Sequence, residues 1–340
     1  MRPNRKDAEM DHPPGLDQIV YPSFEFPWSG GFHPGATIVE ERMIEWGSAC
    51  GLIPDEEYRA RIIRTRYGFL AARCYPRAGM KLLQAAADYF LWFFLADDLF
   101  VDRVDTATAG TIANLTAMID VLDYNRRRTP PAYGETAWLD VCGRLRGCLS
   151  AEHFERFAAG MRMWASTAGL QILNHLQPRP IEICHYETIR RHTSGMNPCL
   201  ALSDAANAGP VTPDEYHQPA VQRMRMHANN IVCWSNDIQS LAVEARQPEQ
   251  FRNMVTVYAS QGRTLQEGVD ITAQRVRKEI SGLARLSQEA EEHASAALLG
   301  YITGMKDWTR GYQDWFDQDT ERYAAAHAAH DADDRGITLP

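Results

Sequence analysis

The sequence lacks the features by which membrane, secreted and nucleic-acid-binding proteins are commonly recognised. Its longest apolar run near a candidate span, YFLWFFLA, has eight residues and ends in two aspartates, too short to cross a bilayer. The first residues, MRPNRKDAEMDHPP, contain no apolar core of a signal peptide. The net charge is −9 with no long basic run, which argues against nucleic acid or an anionic membrane as a partner. These absences favour a cytoplasmic globular protein.

Cysteine usage argues against a disulfide framework. The seven cysteines are odd in number and never form a CxxC pair, which favours reduced, mostly buried thiols over disulfides or a zinc site. The eleven histidines show no spacing typical of metal ligands. Any metal site is therefore expected to use oxygen ligands.

Alternating β patterns are essentially absent, and helical periodicity runs along most of the chain from Ile38 onward. Short breaks such as YPRAGM and RRRTPPAYGE separate the periodic stretches. The segment GLIPDEEYRARIIRTRYGFLAARCYP predicts one helix that ends at Tyr75-Pro76. We expect an all-α, single-domain helical bundle of about ten or eleven helices over residues 36–323. Residues 1–35, with six prolines, predict an extended arm, and residues 324–340 a flexible polar tail.

A stripe of oxygen-bearing side chains lies in the otherwise apolar segment NNIVCWSNDIQSLAVE, residues 229–244. Asn236, Ser240 and Glu244 recur every four residues, so on a helix they share one face over ~12 Å. Asp237 lies beside this stripe. A solvated polar face is the ordinary explanation of such a pattern, but Trp234 and the other apolar neighbours predict that the helix is buried.

One other segment, ADYFLWFFLADDLFVDRVD (residues 87–105), has the same anomaly. Asp98 and Asp102 are four residues apart and share a helix face, while Asp97 is turned about 100° away. Carboxylates beside an apolar run are costly unless a cation neutralises them. Oxygen ligands suit Mg²⁺ or Mn²⁺ rather than Zn²⁺, and Mg²⁺ is commonly completed by phosphate oxygens. We therefore expect two facing helices to hold a divalent cation and a phosphorylated ligand above an aromatic pocket.

Four motifs together resemble those of class I terpene synthases, bacterial members in particular. NDIQSLAVE matches their NDxxSxxxE metal motif, and DDLFVD resembles their aspartate-rich motif in its DDxxxD/E form. YETIRRHTSG resembles the segment in which an arginine senses diphosphate, and GYQDWFDQDTERY resembles the C-terminal GNxxW…TxRY stretch. The motifs occur in the family's order and span residues 89–323, most of the chain.

The resemblance implies an α-helical barrel, an isoprenyl diphosphate substrate and three Mg²⁺ ions, with Mn²⁺ as a substitute. It assigns metal ligation to six residues: Asp97, Asp98, Asp102, Asn236, Ser240 and Glu244. It assigns diphosphate contacts to four: Asp98, Arg191, Arg322 and Tyr323. In this alignment, Ser194 links the sensor Arg191 to Gly195, which acts as effector through its backbone carbonyl.

The register of the sensor is open between two arginines. In the family pattern the sensor lies about 46 residues before the asparagine, a spacing that Arg190 meets. The pattern also has the effector four residues after the sensor, and only Arg191 gives this spacing to Gly195, so we prefer Arg191. The chain also departs from the pattern at two places. Val243 replaces a basic residue often found before the last glutamate, and the stretch after Trp315 is one residue longer than usual, which makes the assignment of Arg322 less secure.

Aromatic residues are the candidate walls for the carbocation that forms when the allylic C–O bond ionises, because ring faces favour positive charge. The candidates are Tyr89, Trp92, Phe93, Phe94, Trp308 and Trp315. About half of the YFLWFF run is expected in the core, since one helix face can line only one cavity. No general base is required, because the released diphosphate can accept the last proton.

The expected function is ionisation and cyclisation of a linear isoprenyl diphosphate, with farnesyl diphosphate favoured over geranyl and geranylgeranyl diphosphate. A chain-elongating prenyltransferase is an alternative with the same barrel, but it would need a second aspartate-rich motif where this chain has NDIQS. A non-catalytic helical scaffold is a second alternative, but the intact set of metal ligands argues against it. The oligomeric state is left open between monomer and homodimer.

Overall fold

A computed structural model gives the structure of the protein and describes residues 16–100, 109–177, 181–207, 209–244 and 253–323. Within these ranges the regular structure is helical, with no β-strand, which confirms the all-α prediction. After a 3₁₀ turn at Leu16–Gln18, the α-helices are α1 Ala36–Ala49, α2 Glu56–Thr65, α3 Tyr67–Cys74, α4 Met80–Phe100, α5 Ala109–Tyr124, α6 Glu135–Cys148, α7 Ala151–His175, α8 Ile183–Thr193, α9 Met196–Ala206, α10 Pro213–Tyr216, α11 Pro219–Gln239, α12 Leu241–Glu244, α13 Met254–Ala259, α14 Leu265–Ala290 and α15 Ala296–Gln318.

The described ranges contain more helices than the ten or eleven expected, partly because of breaks inside periodic stretches. The single helix predicted before Tyr75-Pro76 is two helices, α2 and α3, because Arg66 between them takes the left-handed conformation at φ 60°. The turn is stabilised from α15, where the indole Nε1 of Trp315 donates to the carbonyl oxygens of Thr65 and Arg66 at 3.1 and 3.0 Å. Sequence periodicity carries no signal for such a break, because Arg66 is an ordinary helix-forming residue.

The long helices α4, α7, α11 and α15, together with α3, α8 and α9, surround a central cavity. Helix α11 packs along α14, α7 along α9, and α15 along α3. Between α4, α6 and α7 the core is aromatic: Trp92 stacks on Trp138 with ring centroids 4.0 Å apart, and Tyr89 meets Phe157 edge-on. No helix in the described part of the chain is long and apolar enough to span a membrane.

The described part of the predicted arm, residues 16–35, lies against the helical domain. Val20 exchanges two hydrogen bonds with the Gln266 side chain of α14, and the His33 N–H donates to the Ala72 carbonyl at 3.0 Å. The side chains of Leu16 and Phe24 are buried. Residues 1–15 and the predicted tail, residues 324–340, lie outside the described ranges.

A buried carboxyl group joins α1 to α3. Glu40 of α1 accepts the N–H of Gly68 at 2.6 Å, at a point where the helices approach so closely that a Cβ on Gly68 would lie 2.7 Å from the Glu40 backbone. Burial raises the pKa of Glu40 to about 7, although the Gly68 N–H and the charge of Arg66 both favour the ionised form. Ionisation of Glu40 is therefore less favourable in the folded protein than in water.

Candidate active site

The central cavity has an empty volume of ≈ 1240 Å³ including its open mouth. The half-buried polar part of its lining is called the mouth here, and its mainly buried apolar and aromatic part is called the floor. The mouth side carries Asp97 from α4, Asn236 from α11 and Glu244 from α12. The floor includes Phe90 from α4 and Trp308 from α15. Oxygen-bearing and aromatic side chains therefore line one cavity, and the phosphorylated ligand stays a prediction.

The aspartate-rich segment reaches the cavity through Asp97. This carboxylate lies near the end of α4 and accepts a hydrogen bond from the indole Nε1 of Trp164 on α7 at 3.1 Å. The backbone of Asp98 continues α4, but its side chain is outside what the structure describes, and so is all of Asp102. Their assignment as metal or diphosphate ligands therefore stays a sequence prediction.

The oxygen stripe faces the same cavity, although the helix that carries it is broken. Helix α11 ends at Gln239 and α12 starts at Leu241, with Ser240 as the cap between them. The Ser240 hydroxyl donates to the Asn236 carbonyl oxygen at 2.7 Å. Asn236, Ser240 and Glu244 nonetheless all line the cavity that Asp97 also lines. Helices α4, α11 and α12 and the cap residue Ser240 therefore present carboxylate, amide and hydroxyl oxygens to one cavity.

Asp237, which the sequence placed beside the stripe without a role, is the buried centre of a polar network. Its carboxylate accepts from Arg190 Nε at 2.9 Å, from the Tyr186 hydroxyl at 2.7 Å and from the Met254 N–H at 3.2 Å. Burial by itself lowers the pKa of an arginine, but the Asp237 charge more than offsets this, and the pKa of Arg190 is raised well above its ordinary value. Arg190 is therefore a fixed positive charge at the cavity wall.

The structure does not bring Arg191 to the cavity, and the preference for it over Arg190 is corrected. Arg191 Nε donates to the Glu187 carbonyl at 3.2 Å and its Nη2 to the Thr188 hydroxyl at 3.3 Å, both on its own helix, α8. Arg190 lines the cavity and donates to Asn236 Oδ1 at 2.6 Å. Successive helix positions are turned by about 100°, so a register error of one residue moves the guanidinium off the site.

Ser194 and Gly195 both line the cavity, at the break between α8 and α9. Gly195 has φ 71°, and a Cβ built on it would lie 2.4 Å from the Phe93 ring, so the position requires glycine. The Ser194 hydroxyl donates to Asn229 Oδ1 at 3.1 Å. With the sensor at Arg190, the residue four positions on is Ser194, and Gly195 loses the basis for its effector assignment.

The C-terminal pair also lies at the cavity. Arg322 Nη1 donates to the Tyr67 hydroxyl at 2.8 Å, and its guanidinium carbon lies 4.9 Å from the centre of the Phe94 ring. Tyr323 accepts from Asn236 Nδ2 at 2.9 Å, beside Tyr312, which accepts from the same nitrogen at 3.2 Å. Burial raises the pKa of both phenols, so they stay protonated. The extra residue after Trp315 does not remove this pair from the site.

Three of the six aromatic candidates line the cavity: Phe93, Phe94 and Trp308. The other three are core residues and are corrected as cavity walls. Trp92 stacks on Trp138, Trp315 caps the α2–α3 turn, and the Tyr89 hydroxyl donates to Met161 Sδ at 3.2 Å. The sequence analysis did not identify several apolar residues as cavity walls: Leu70, Phe90, Ile189, Met196, Cys199 and Val232.

The donors at the mouth fit a hard divalent cation. Two thiols, Cys199 and Cys233, also line the cavity, but burial raises the pKa of Cys199 to about 12 and that of Cys233 higher still. Neutral thiols are poor metal ligands, which leaves oxygen atoms as the available donors. Elsewhere in the described ranges, Glu182, Cys184 and His185 form one exposed group whose ligand atoms lie within 4.8 Å of one another, a proximity that the sequence spacing did not suggest.

Comparison with known proteins identifies the family. The family model for terpene synthase family 2, C-terminal metal binding, matches residues 88–281, more than half of the chain. The chain belongs to the terpene synthase family. The matched range of this terpene synthase contains Asp97, Arg190 and the whole oxygen stripe, and the family is one of metal-binding lyases.

Both fungal and bacterial terpene synthases are similar to it. A sesquiterpene synthase of Metarhizium brunneum (strain ARSEF 3297) is 58% identical over 327 residues, 96% of each chain. A (+)-corvol ether B/(+)-corvol ether A synthase of Kitasatospora setae, named as farnesyl diphosphate cyclizing, is 58% identical over 94% of this chain and 99% of its own. Among solved structures, the SVS_A2 protein from ancestral sequence reconstruction superposes with a TM-score of 0.80 at 25% identity, over 88% of this chain and 90% of that chain.

Proposed function

We propose that this terpene synthase ionises (2E,6E)-farnesyl diphosphate and converts the carbocation into a sesquiterpene hydrocarbon or alcohol, with release of diphosphate. The observation that carries the proposal is a single cavity that joins an oxygen-lined mouth to an aromatic floor. The choice of farnesyl diphosphate is supported by the names of the Metarhizium and Kitasatospora relatives. Ionisation at the mouth would leave the prenyl chain over the floor.

The proposed cofactors are three Mg²⁺ ions, for which Mn²⁺ is a substitute. Asp97 would hold them on one side of the mouth, and Asn236, Ser240 and Glu244 on the other. Asp98 and Asp102 are proposed to join Asp97 on the strength of the sequence motif alone. When bound, the ions would neutralise the negative charge that develops on the leaving diphosphate.

Two arginines and a tyrosine are proposed to orient the diphosphate. Arg190 carries a permanent charge on α8, and Arg322, which follows α15 in the chain, lines the same cavity. A guanidinium donates up to five N–H groups in a fixed fork that suits phosphate oxygens. The protonated hydroxyl of Tyr323 lies beside Asn236 and adds a neutral donor to the same region.

The floor is proposed to shape the cation and exclude water. Phe93, Phe94 and Trp308 present aromatic surface, and Phe94 is held by stacking on Tyr67 with ring centroids 4.7 Å apart. Ring faces stabilise a nearby cation by about 0.5–2 kcal/mol each. Tyr312 is a protonated phenol and a poor base, so the released diphosphate is the proposed acceptor of the final proton.

The test is incubation of the purified protein with Mg²⁺ and geranyl, farnesyl or geranylgeranyl diphosphate, followed by gas chromatography–mass spectrometry. We expect farnesyl diphosphate to give the highest kcat/KM and C15 products. A clear preference for either of the other two would overturn the proposed substrate while leaving the terpene synthase assignment intact. Formation of longer prenyl diphosphates with added isopentenyl diphosphate would favour a chain-elongating enzyme instead.

A further inference from the structure

The ion pair between Arg190 and Asp237 also involves Asn236, because the arginine donates to the two side chains with different nitrogen atoms; its Nη2 also donates to the Cys233 backbone carbonyl at 3.4 Å. Its Nε donates to Asp237 Oδ1 at 2.9 Å, and its Nη2 donates to Asn236 Oδ1 at 2.6 Å. An arginine can only donate, so Asn236 must turn its oxygen toward Arg190 and its nitrogen toward Tyr312 and Tyr323, as observed. The guanidinium therefore occupies the oxygen that the proposed cation would bind.

Asp237 is fixed by contacts that do not involve Arg190. The Tyr186 hydroxyl and the Met254 N–H both donate to its Oδ2, and its backbone carbonyl accepts from Asn253 Nδ2 at 2.6 Å. The carboxylate is almost fully buried, whereas the Arg190 side chain keeps 16% of its surface exposed at the cavity. The Nε end of the guanidinium is thus held by a rigid partner, and the Nη end faces the cavity.

We propose that Asp237 is a positioning residue that anchors Arg190 through Nε, so that the Nη groups exchange between Asn236 Oδ1 and a bound diphosphate. The proposal rests on the proposed function, because it takes Asn236 as a cation ligand. Without diphosphate, the guanidinium stands in place of the cation beside Asn236 and opposes its binding. When diphosphate binds, the guanidinium turns toward the phosphate oxygens and the Asn236 oxygen becomes free.

The consequence is a divalent-cation site that is weak until diphosphate arrives. A unit positive charge within about 5 Å repels a divalent ion strongly at the effective dielectric constant near a protein surface. Even when solvent screens part of this repulsion, the affinity for the cation changes measurably. The guanidinium lowers the affinity for the cation only in the absence of diphosphate. By thermodynamic linkage, bound diphosphate therefore strengthens cation binding, and bound cation strengthens diphosphate binding by the same free energy. Arg190 should then have opposite effects on the two binding reactions.

The experiment measures Mn²⁺ binding by electron paramagnetic resonance and inorganic diphosphate binding, in the presence of Mg²⁺, by calorimetry. In the absence of diphosphate, Arg190→Gln should bind Mn²⁺ at least ~5-fold more tightly than the wild type. The same variant should bind inorganic diphosphate at least ~10-fold more weakly. Arg191→Gln is the matched control, because the neighbouring arginine lies off the cavity, and it should change neither affinity. Adding Glu244→Gln to Arg190→Gln should remove the gain in Mn²⁺ affinity.

Asp237→Asn tests the anchor itself. It should weaken diphosphate binding by at least ~3-fold, because Arg190 keeps its charge but loses the partner that aims it. Asp204→Asn is the matched control: Asp204 is also buried and accepts from an arginine, Arg156 at 2.7 Å, but neither residue lines the cavity. Both variants should lower Tm, and Asp237→Asn alone should alter ligand binding.

Two results would overturn the proposal: unchanged or weaker Mn²⁺ binding by Arg190→Gln without diphosphate, or equal ligand binding by Asp237→Asn and Asp204→Asn. If Asp237→Asn or Arg190→Gln does not fold, Arg190→Lys decides. A lysine has one nitrogen and cannot hold Asp237 and Asn236 together, so it should also gain Mn²⁺ affinity and lose diphosphate affinity, and no change would count against the proposal. None of these measurements uses farnesyl diphosphate turnover, so the substrate assignment can fail separately.

Discussion

Glu244→Gln should separate catalysis from folding at the oxygen stripe. The side chain is half-buried at the end of α12 and lines the cavity, where it accepts a long contact from Asn253 Nδ2 at 3.5 Å and interacts electrostatically with Arg190. Glutamine keeps the shape and removes one negative charge. A residue that supports a cation near the leaving diphosphate should lose its contribution mainly in the transition state.

The two expected magnitudes differ widely. Loss of one transition-state electrostatic contact costs about 2.7 kcal/mol, so kcat with farnesyl diphosphate should fall at least ~100-fold. Glutamine keeps the shape of the side chain and its ability to accept hydrogen bonds, and the lost charge is only half-buried, so the free energy of unfolding should change by about 1 kcal/mol. Both quantities can be measured on one preparation, by product analysis and by thermal unfolding. Glu289→Gln, on an exposed site of α14, is the control for removing a charge elsewhere.

The opposite pair of results would contradict a metal-binding role for Glu244. If the stripe were only a structural polar face, Glu244→Gln would lower Tm and keep its turnover. A variant that is destabilised and fully active would end the metal interpretation of α11 and α12. Loss of turnover together with global unfolding would point to a structural role as well.

Three other predictions follow from the structure. Because the pKa of Glu40 is raised to about 7 in the folded protein from 4.5, the native state holds an extra proton between these values and stability should fall as pH rises through them. Glu40→Gln should therefore be stabilised at pH 8, by up to ~3 kcal/mol, and a Tm equal to wild type there would contradict this. Gly195→Ala should lose about 2–4 kcal/mol of stability, because its Cβ would clash with the Phe93 ring and φ is positive at this position. An unchanged Tm in thermal unfolding would contradict this prediction. Arg190→Ala should reduce kcat/KM far more than Arg191→Ala, and the reverse ranking would restore the original register.

The sequence alone predicts the helical architecture and the main functional features because their signals are periodic. Asn236, Ser240 and Glu244 repeat at helical spacing, so their common face follows from helix geometry even though Ser240 interrupts the helix. The acidic end of α4 is visible as carboxylates after an apolar run, and Asp97 does line the cavity. Both features are local, and local spacing is what a sequence records directly.

Features that depend on packing between distant segments could not be predicted in the same way. The choice between Arg190 and Arg191 depends on the rotation of α8 against α11, which places Asp237 beside the first arginine. The break at Arg66 is stabilised by Trp315, 249 residues away in sequence. That contact also removes Trp315 from the cavity wall, which composition could not indicate.

The most direct test of the account is whether turnover of farnesyl diphosphate depends on a hard divalent cation held by this cavity. EDTA should abolish product formation, Mg²⁺ should restore it and Zn²⁺ should not, because the available donors are oxygen atoms and the thiols of Cys199 and Cys233 are neutral. Full turnover in the presence of the chelator would contradict the central claim.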